Sequence, residues 1–326
     1  MRVPRGANFV NSIHPSRRLI WIIGMACCLL LYAVAPSHAQ EGSFVNRGLR
    51  LHYRSVGTGA PVVFLSGGPG FDVDYMLPVA DAFPAFRRIL LEQRGTGKSV
   101  PAALVAEDMT LAVVVQDLEA LREHLAQPRL FLVGHSWGAM LAMAYAAAHP
   151  DRIERLILID SGGPDFEFTT WFEDNIRARM RPEDIEAERY WSEAGKHGVS
   201  ADKVALETAR AVTPAYFFDR AKGLVFAATM PDGSLHEASS AMLFADLAKS
   251  YDVRAGLRRV NRPALILHGH QDPMGDKNAE DVHAAITSST LAYLHKCGHF
   301  PWIEQPEAFR SAIESFMNGP RPDTPR

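Results

Sequence analysis

From residue 50 onward, short apolar runs alternate with segments whose apolar positions recur every three or four residues. Residues 51–56, 62–65, 88–91 and 130–133 are short stretches of aliphatic and aromatic residues bounded by Gly, Pro or a charge, which predicts strands. Between the last two, Leu111, Val114, Val115, Leu118, Leu121 and Leu125 fall on one face of a helix spanning 111–125. The rhythm continues with a helix over 140–148 and a strand over 156–159. After an interruption it resumes with strands over 264–267 and 291–294, a helical pattern over 279–286 and a last helix over 306–317. Such alternation predicts a mostly parallel sheet covered by helices on both faces, with ligands gathering at the carboxyl ends of the strands.

The interruption, residues 164–255, is helical in pattern, aromatic (Trp171, Phe172, Tyr190, Trp191, Tyr216, Phe217, Phe218) and charged, and holds no apolar strand run. An inserted helical cap between two halves of one sheet accounts for it. The expected organisation is a core first half over 40–163, the cap over 164–255, a core second half over 256–318 and a flexible Pro-rich tail over 319–326.

The first 39 residues differ from the rest. They carry Arg2, Arg5, Arg17 and Arg18, no Asp or Glu, then an apolar run over 19–34 ending in Pro36-Ser37-His38-Ala39, with small residues where a signal peptidase reads. A secretory signal cleaved after Ala39 is expected, and an uncleaved membrane anchor is the alternative, although the run falls short of the ~20 residues of a spanning helix. Cleavage would remove those arginines and make the chain more acidic than its formal net charge of -3. No basic block exists to bind nucleic acid, and no stable membrane association is expected once the signal is gone. Cys27 and Cys28 would leave with the signal, so Cys297 could form no internal disulfide.

Against this framework the chemistry-bearing residues fall at strand ends. Gly134-His135-Ser136-Trp137-Gly138 lies between a strand and an Ala-rich helix, which matches the nucleophile elbow, a strained turn that needs small neighbours. A serine nucleophile needs a base and an acid to orient that base. In the fold that carries this elbow, the α/β-hydrolase fold with its eight-stranded sheet, the order is Ser, acid, His. Asp272 follows the strand over 264–267 and His299 follows the strand over 291–294, so each lies where the elbow requires it. Asp160, at the end of another predicted strand, is the rival acid, and His135 within the elbow is expected to pack rather than act as base. Ser66-Gly67-Gly68-Pro69-Gly70 follows an early strand, where backbone amides can face an oxyanion. Gly68, with Gly67 as runner-up, and Trp137 are the expected donors. Arg94, within Glu92-Gln93-Arg94-Gly95-Thr96-Gly97, is expected to brace neighbouring loops. No cofactor is called for, and no metal: His268 and His270 have no further ligand at suitable spacing.

Together, Gly67-Gly68-Pro69-Gly70, Gln93-Arg94-Gly95-Thr96-Gly97 and the elbow with Leu141-Ala142 and the stretch 145–150 make the sequence resemble the proline iminopeptidase family of α/β-hydrolases. The resemblance covers roughly 42–162 and 260–317 and implies cleavage of an N-terminal residue, typically proline, from peptides. Ser66 stands where the family usually has His, and Glu92 where it has Asp. The resemblance also implies cap acids that hold the substrate amine, and Glu167, Glu173, Glu183, Glu186, Glu188 and Glu193 are all available. The expected function is therefore a serine exopeptidase acting on small peptides. An esterase, lactonase or other small-molecule hydrolase with the same machinery is the alternative, and a binding protein on a disabled scaffold the remote one.

Overall fold

The computed structural model describes residues 39–319; the predicted leader and tail lie outside them except for Ala39 and Gly319. One sheet of eight strands runs through the molecule: β1 Gln40–Asn46, β2 Leu49–Val56, β3 Pro61–Leu65, β4 Arg87–Leu91, β5 Leu130–His135, β6 Ile153–Ile159, β7 Ala264–Gly269 and β8 Ser289–Leu294. The order across the sheet is β1-β2-β4-β3-β5-β6-β7-β8. Strand β2 is antiparallel to both neighbours, and pairing from β4 to β8 is parallel throughout.

Alternation along the central strands feeds two cores. Val63, Leu65, Ile89, Leu91, Leu132, Leu156, Leu158 and Ile266 enter one, while Val62, Phe64, Leu90, Val133, Ile157, Ile159, Leu265 and Leu267 enter the other. Successive side chains of a strand point to opposite faces, so continuous apolar runs are what a sheet buried on both faces requires. Strand β1, Gln-Glu-Gly-Ser-Phe-Val-Asn, has no such run and escapes the sequence pattern. It is defined by its pairing with β2 across Arg47-Gly48, both at positive φ, the two-residue turn that matches strand twist.

The helix after β5, Trp137–Ala148, begins three residues earlier than its apolar pattern suggested, directly after Ser136, and is buried from Trp137 to Ala147. Its Ala-rich surface lets it lie close under the sheet. Between β6 and β7 stand the helices Thr169–Arg179, Pro182–Lys196, Ala201–Val212, Arg220–Thr229 and Glu237–Ser250. This insertion meets the Gly-rich loop after β3 through a bridge pairing Phe71 with Leu235. Among the described residues no helix is long and apolar enough to cross a membrane.

Candidate active site

Ser136 joins β5 to its helix with φ +55 and ψ -121, a conformation that non-glycine residues adopt rarely and at a cost of about 1–3 kcal/mol. The turn closes only because its neighbours lack side chains. A Cβ on Gly134 would lie 2.3 Å from the Gly138 carbonyl oxygen, and one on Gly138 would lie 2.1 Å from that of Leu65. The Ser136 amide donates to the Ile159 carbonyl at 2.9 Å, tying the turn to β6.

Asp272 and His299 come from the loops after β7 and β8. His299 Nδ1 donates to Asp272 Oδ2 at 2.8 Å, and the Met274 amide donates to Oδ1 at 2.9 Å. Both side chains are buried. Burial alone would raise the Asp272 carboxyl, but the adjacent His299 imidazole outweighs it and holds the group at about 2. With Nδ1 donating, Nε2 of His299 is left as a proton acceptor.

The backbone of His299 is anchored on both sides. Its amide donates to the Tyr216 carbonyl of the helical insertion at 2.9 Å, and its carbonyl accepts from His135 Nε2 at 2.8 Å. Glu304 accepts the preceding Gly298 amide at 2.6 Å. His135 is kept neutral, because burial pushes its imidazole well below the ordinary value. Its Nδ1 accepts from the Tyr75 hydroxyl at 2.9 Å, and that hydroxyl accepts the Gly67 amide. His135 thus serves the site as a spacer, as expected from its place in the elbow. No feature of the sequence around Tyr75 singles it out.

That chain distinguishes the two glycines proposed to face an oxyanion. Both line the cavity with Ser136, but the Gly67 amide is engaged by the Tyr75 hydroxyl, whereas Gly68 stands at φ +115. The Trp137 amide is at the first helical position, where no intrahelical carbonyl is available to it. The two loops are held in register by Gln93. Its Oε1 accepts the Trp137 indole at 3.0 Å, and its Nε2 donates to the Ser66 carbonyl at 2.9 Å and hydroxyl at 3.0 Å. Next to it, Arg94 makes a buried bidentate pair with Asp117 at 2.8 and 2.7 Å and donates to the Asn46 carbonyl at 3.3 Å. This is the bracing role its position suggested.

Ser136, His299, Gly67 and Gly68 line a cavity of about 1240 Å³ whose far wall is the helix Ala201–Val212. Of the six cap acids named from the sequence, Glu188 alone borders it, and Arg177 holds both its oxygens. The other bordering acids are Asp72, Asp74 and Glu237, and among the described residues neither Lys nor Arg joins them. Asp74 is paired with Arg54. Asp72 directly follows Phe71 and Glu237 lies two residues past Leu235, on opposite sides of that antiparallel bridge. Burial raises both carboxyls, that of Asp72 to about 6. Asp72 and Glu237 escaped the sequence reading because only the packing of the insertion against the loop after β3 puts both on one cavity.

The rival acid, Asp160, is buried behind Asp272 and does not contact the imidazole of His299 by any hydrogen bond found among the described residues. His268 and His270 both face the Asp276 carboxylate, His268 Nε2 at 3.6 Å and His270 Nδ1 at 2.9 Å; His268 Nδ1 also lies 3.4 Å from Asp160, and His270 stacks on Tyr293 with ring centroids 4.3 Å apart. Asp160, His268 and Asp272 each offer a donor atom within 4.8 Å of the others, but both Asp272 oxygens already accept hydrogen bonds.

A strained serine at a strand-to-helix turn, a carboxylate-held imidazole and free backbone amides around one cavity are the equipment of a serine hydrolase, and the protein is an enzyme of that class. The chain belongs to the alpha/beta hydrolase fold family, whose profile matches residues 60–306. In sequence it is proline iminopeptidase-like. It is 28% identical to the proline iminopeptidase of Xylella fastidiosa over 298 residues, 84% of this chain and 95% of that protein. It is 48% identical to the proline iminopeptidase of Arabidopsis thaliana over 133 residues, 39% of this chain but only 34% of that protein's length. The crystal structure of a proline iminopeptidase-related protein from Thermus thermophilus shares the fold, with a TM-score of 0.67 at 23% identity over 86% of this chain and 97% of that one.

Proposed function

We propose that the protein is a serine aminopeptidase that releases N-terminal residues, proline foremost, from small peptides through an acyl-enzyme. The observation that carries this reading is the charge of the cavity. Ser136 and His299 share it with Asp72 and Glu237, no Lys or Arg among the described residues borders it, and a free ammonium group is the complementary ligand. The kinship with proteins named proline iminopeptidases supports the same substrate class.

In this mechanism His299 Nε2 takes the Ser136 hydroxyl proton as Oγ attacks the scissile carbonyl, while Asp272 keeps the imidazole in its productive tautomer and stabilises its charged form. The Gly68 and Trp137 amides receive the oxyanion, each contributing about 10²–10³-fold in rate. His299 then protonates the departing peptide amine, and water activated by the same imidazole releases the acyl group. Domain limits of 40–163 and 256–318 for the core and 164–255 for the cap belong to this reading, with the cap closing the amine end of the cavity. So does export after cleavage at Ala39, which amino-terminal sequencing of the protein recovered from cell fractions would check.

The test is covalent labelling with a fluorophosphonate, followed by hydrolysis of proline arylamide, N-acetyl-proline arylamide and p-nitrophenyl esters by the wild type and Ser136→Ala. Labelling and turnover should disappear in Ser136→Ala, and N-acetylation should abolish cleavage. Ester hydrolysis with neither arylamide cleaved would overturn the peptidase reading, and absence of labelling would overturn the serine mechanism.

A further inference from the structure

Asp160 is an acid without an assigned task. It directly follows β6 at φ +45, its amide donates to the Leu267 carbonyl at 2.9 Å, and its Oδ1 accepts the Gly269 amide at 2.8 Å. It is therefore fastened to the end of β7, from which the Asp272 loop departs. The side chain is 0% exposed, and Oδ2 accepts no hydrogen bond from any donor among the described residues. Its carboxyl lies within 4.8 Å of that of Asp272, which is also buried. The imidazoles beside these two acids are His268 for Asp160 and His299 for Asp272, and burial pushes the His268 imidazole below its ordinary value, towards the neutral form. The remaining titratable groups facing Asp160 are the buried Cys297 thiol and the Glu304 carboxyl, and neither supplies positive charge.

Two carboxylates this close, cut off from water and without a cation between them, do not both ionise. Asp272 is the one whose anion is stabilised, by His299 Nδ1–H and the Met274 amide. Burial, and then the Asp272 charge, push the Asp160 carboxyl well above the ordinary range. Since Oδ1 already accepts from Gly269, the proton belongs on Oδ2, and the acceptor left to it is the Asp272 carboxylate.

We propose that Asp160 is a neutral carboxylic acid that donates a hydrogen bond to Asp272, a positioning residue that fixes and partly disperses the carboxylate charge facing His299. The proposal rests on the Ser136–His299–Asp272 reading. It has a chemical consequence: a donor on Asp272 makes that carboxylate a weaker base toward His299, so removing the donor raises the pH at which the imidazole takes up a proton.

Asparagine reproduces the proposed state, because its Oδ1 can accept from Gly269, its Nδ2 can donate to Asp272, and it tolerates positive φ. The infrared difference spectrum of wild type minus Asp160→Asn at pH 7 should show a protonated-carboxyl C=O band. Asp160→Asn should keep kcat within about threefold with the acidic limb of kcat/KM unmoved. Asp160→Ala should lose about tenfold or more in kcat at nearly constant KM, with that limb displaced to higher pH. The proposal is overturned if the carboxyl band is absent, or if Asp160→Asn moves the acidic limb to lower pH, as loss of a negative charge would. It also falls if Asp160→Ala folds and leaves the pH profile unchanged. The infrared band reports on Asp160 without turnover, so it still decides the protonation state if Asp160→Ala fails to fold. Full activity in Ser136→Ala would instead sink the triad reading itself.

Discussion

The Glu304 carboxylate accepts the Gly298 amide at 2.6 Å, and the same carboxylate accepts the amides of Asp219 at 2.7 Å and Phe218 at 3.2 Å from the helical insertion. The loop carrying His299 and the wall of the substrate cavity are thus held by one buried side chain. Glu304→Ala leaves three amides without their acceptor, each worth about 1–3 kcal/mol when buried and unpaired. The expected result is a loss of about 3 kcal/mol or more in urea unfolding together with a fall in kcat. Glu304→Gln, which keeps one acceptor oxygen, should lose less of both.

Gly134→Ala and Gly138→Ala are expected to be among the most destabilising single-methyl additions in the protein. Each new Cβ would meet backbone atoms at 2.3 Å or less, where no side chain can turn aside. A cost of about 3 kcal/mol or more is expected from such overpacking. Thermal unfolding checks it, with Gly198→Ala, whose Cβ meets nothing within 4 Å, as the comparison that carries only backbone strain.

If Asp72 and Glu237 hold the substrate ammonium, Glu237→Gln should weaken binding of proline amide to Ser136→Ala protein by about tenfold or more, as loss of a charged hydrogen-bond partner does. Calorimetry reads this directly, without turnover. Burial raises Asp72 to about 6, so binding should weaken as pH falls through 6 and the carboxylate becomes neutral. Asp72→Asn should bind weakly at every pH and lose that dependence. Equal affinity for N-acetyl-proline amide would exclude an ammonium site.

Acid stability offers a separate check on Asp272. Its folded value of about 2 lies below the ordinary 3.8, so the folded state binds fewer protons than the unfolded chain between these values. The resulting stabilisation is present above pH 4 and lost as pH falls from about 4 to about 2. Denaturant midpoints of the wild type and Asp272→Asn should therefore approach each other across that interval.

Much of the core was legible because both faces of the central strands are buried. Each strand then reads as an apolar run, and Ser136 is picked out by a short motif set between such a run and an Ala-rich helix. Strand β1 was not legible, since it is a polar edge whose pairing, not its own pattern, makes it a strand. Gln93 was visible as part of a motif, but the bridge it makes between the Trp137 indole and Ser66 joins residues 44 and 27 positions away.

By itself, the sequence determined the parallel sheet, the elbow geometry at Ser136 and the order in which Asp272 and His299 follow it. These depend on local periodicity and on glycines whose need is met within a few residues. Only the tertiary structure set the Asp272 carboxylate, and not that of Asp160, against the His299 imidazole, engaged the Gly67 amide with Tyr75, and brought Asp72 beside the insertion that carries Glu237. Those outcomes turn on distances of a few ångströms between distant segments, where burial and hydrogen-bond geometry select one acid or one amide from chemically identical neighbours.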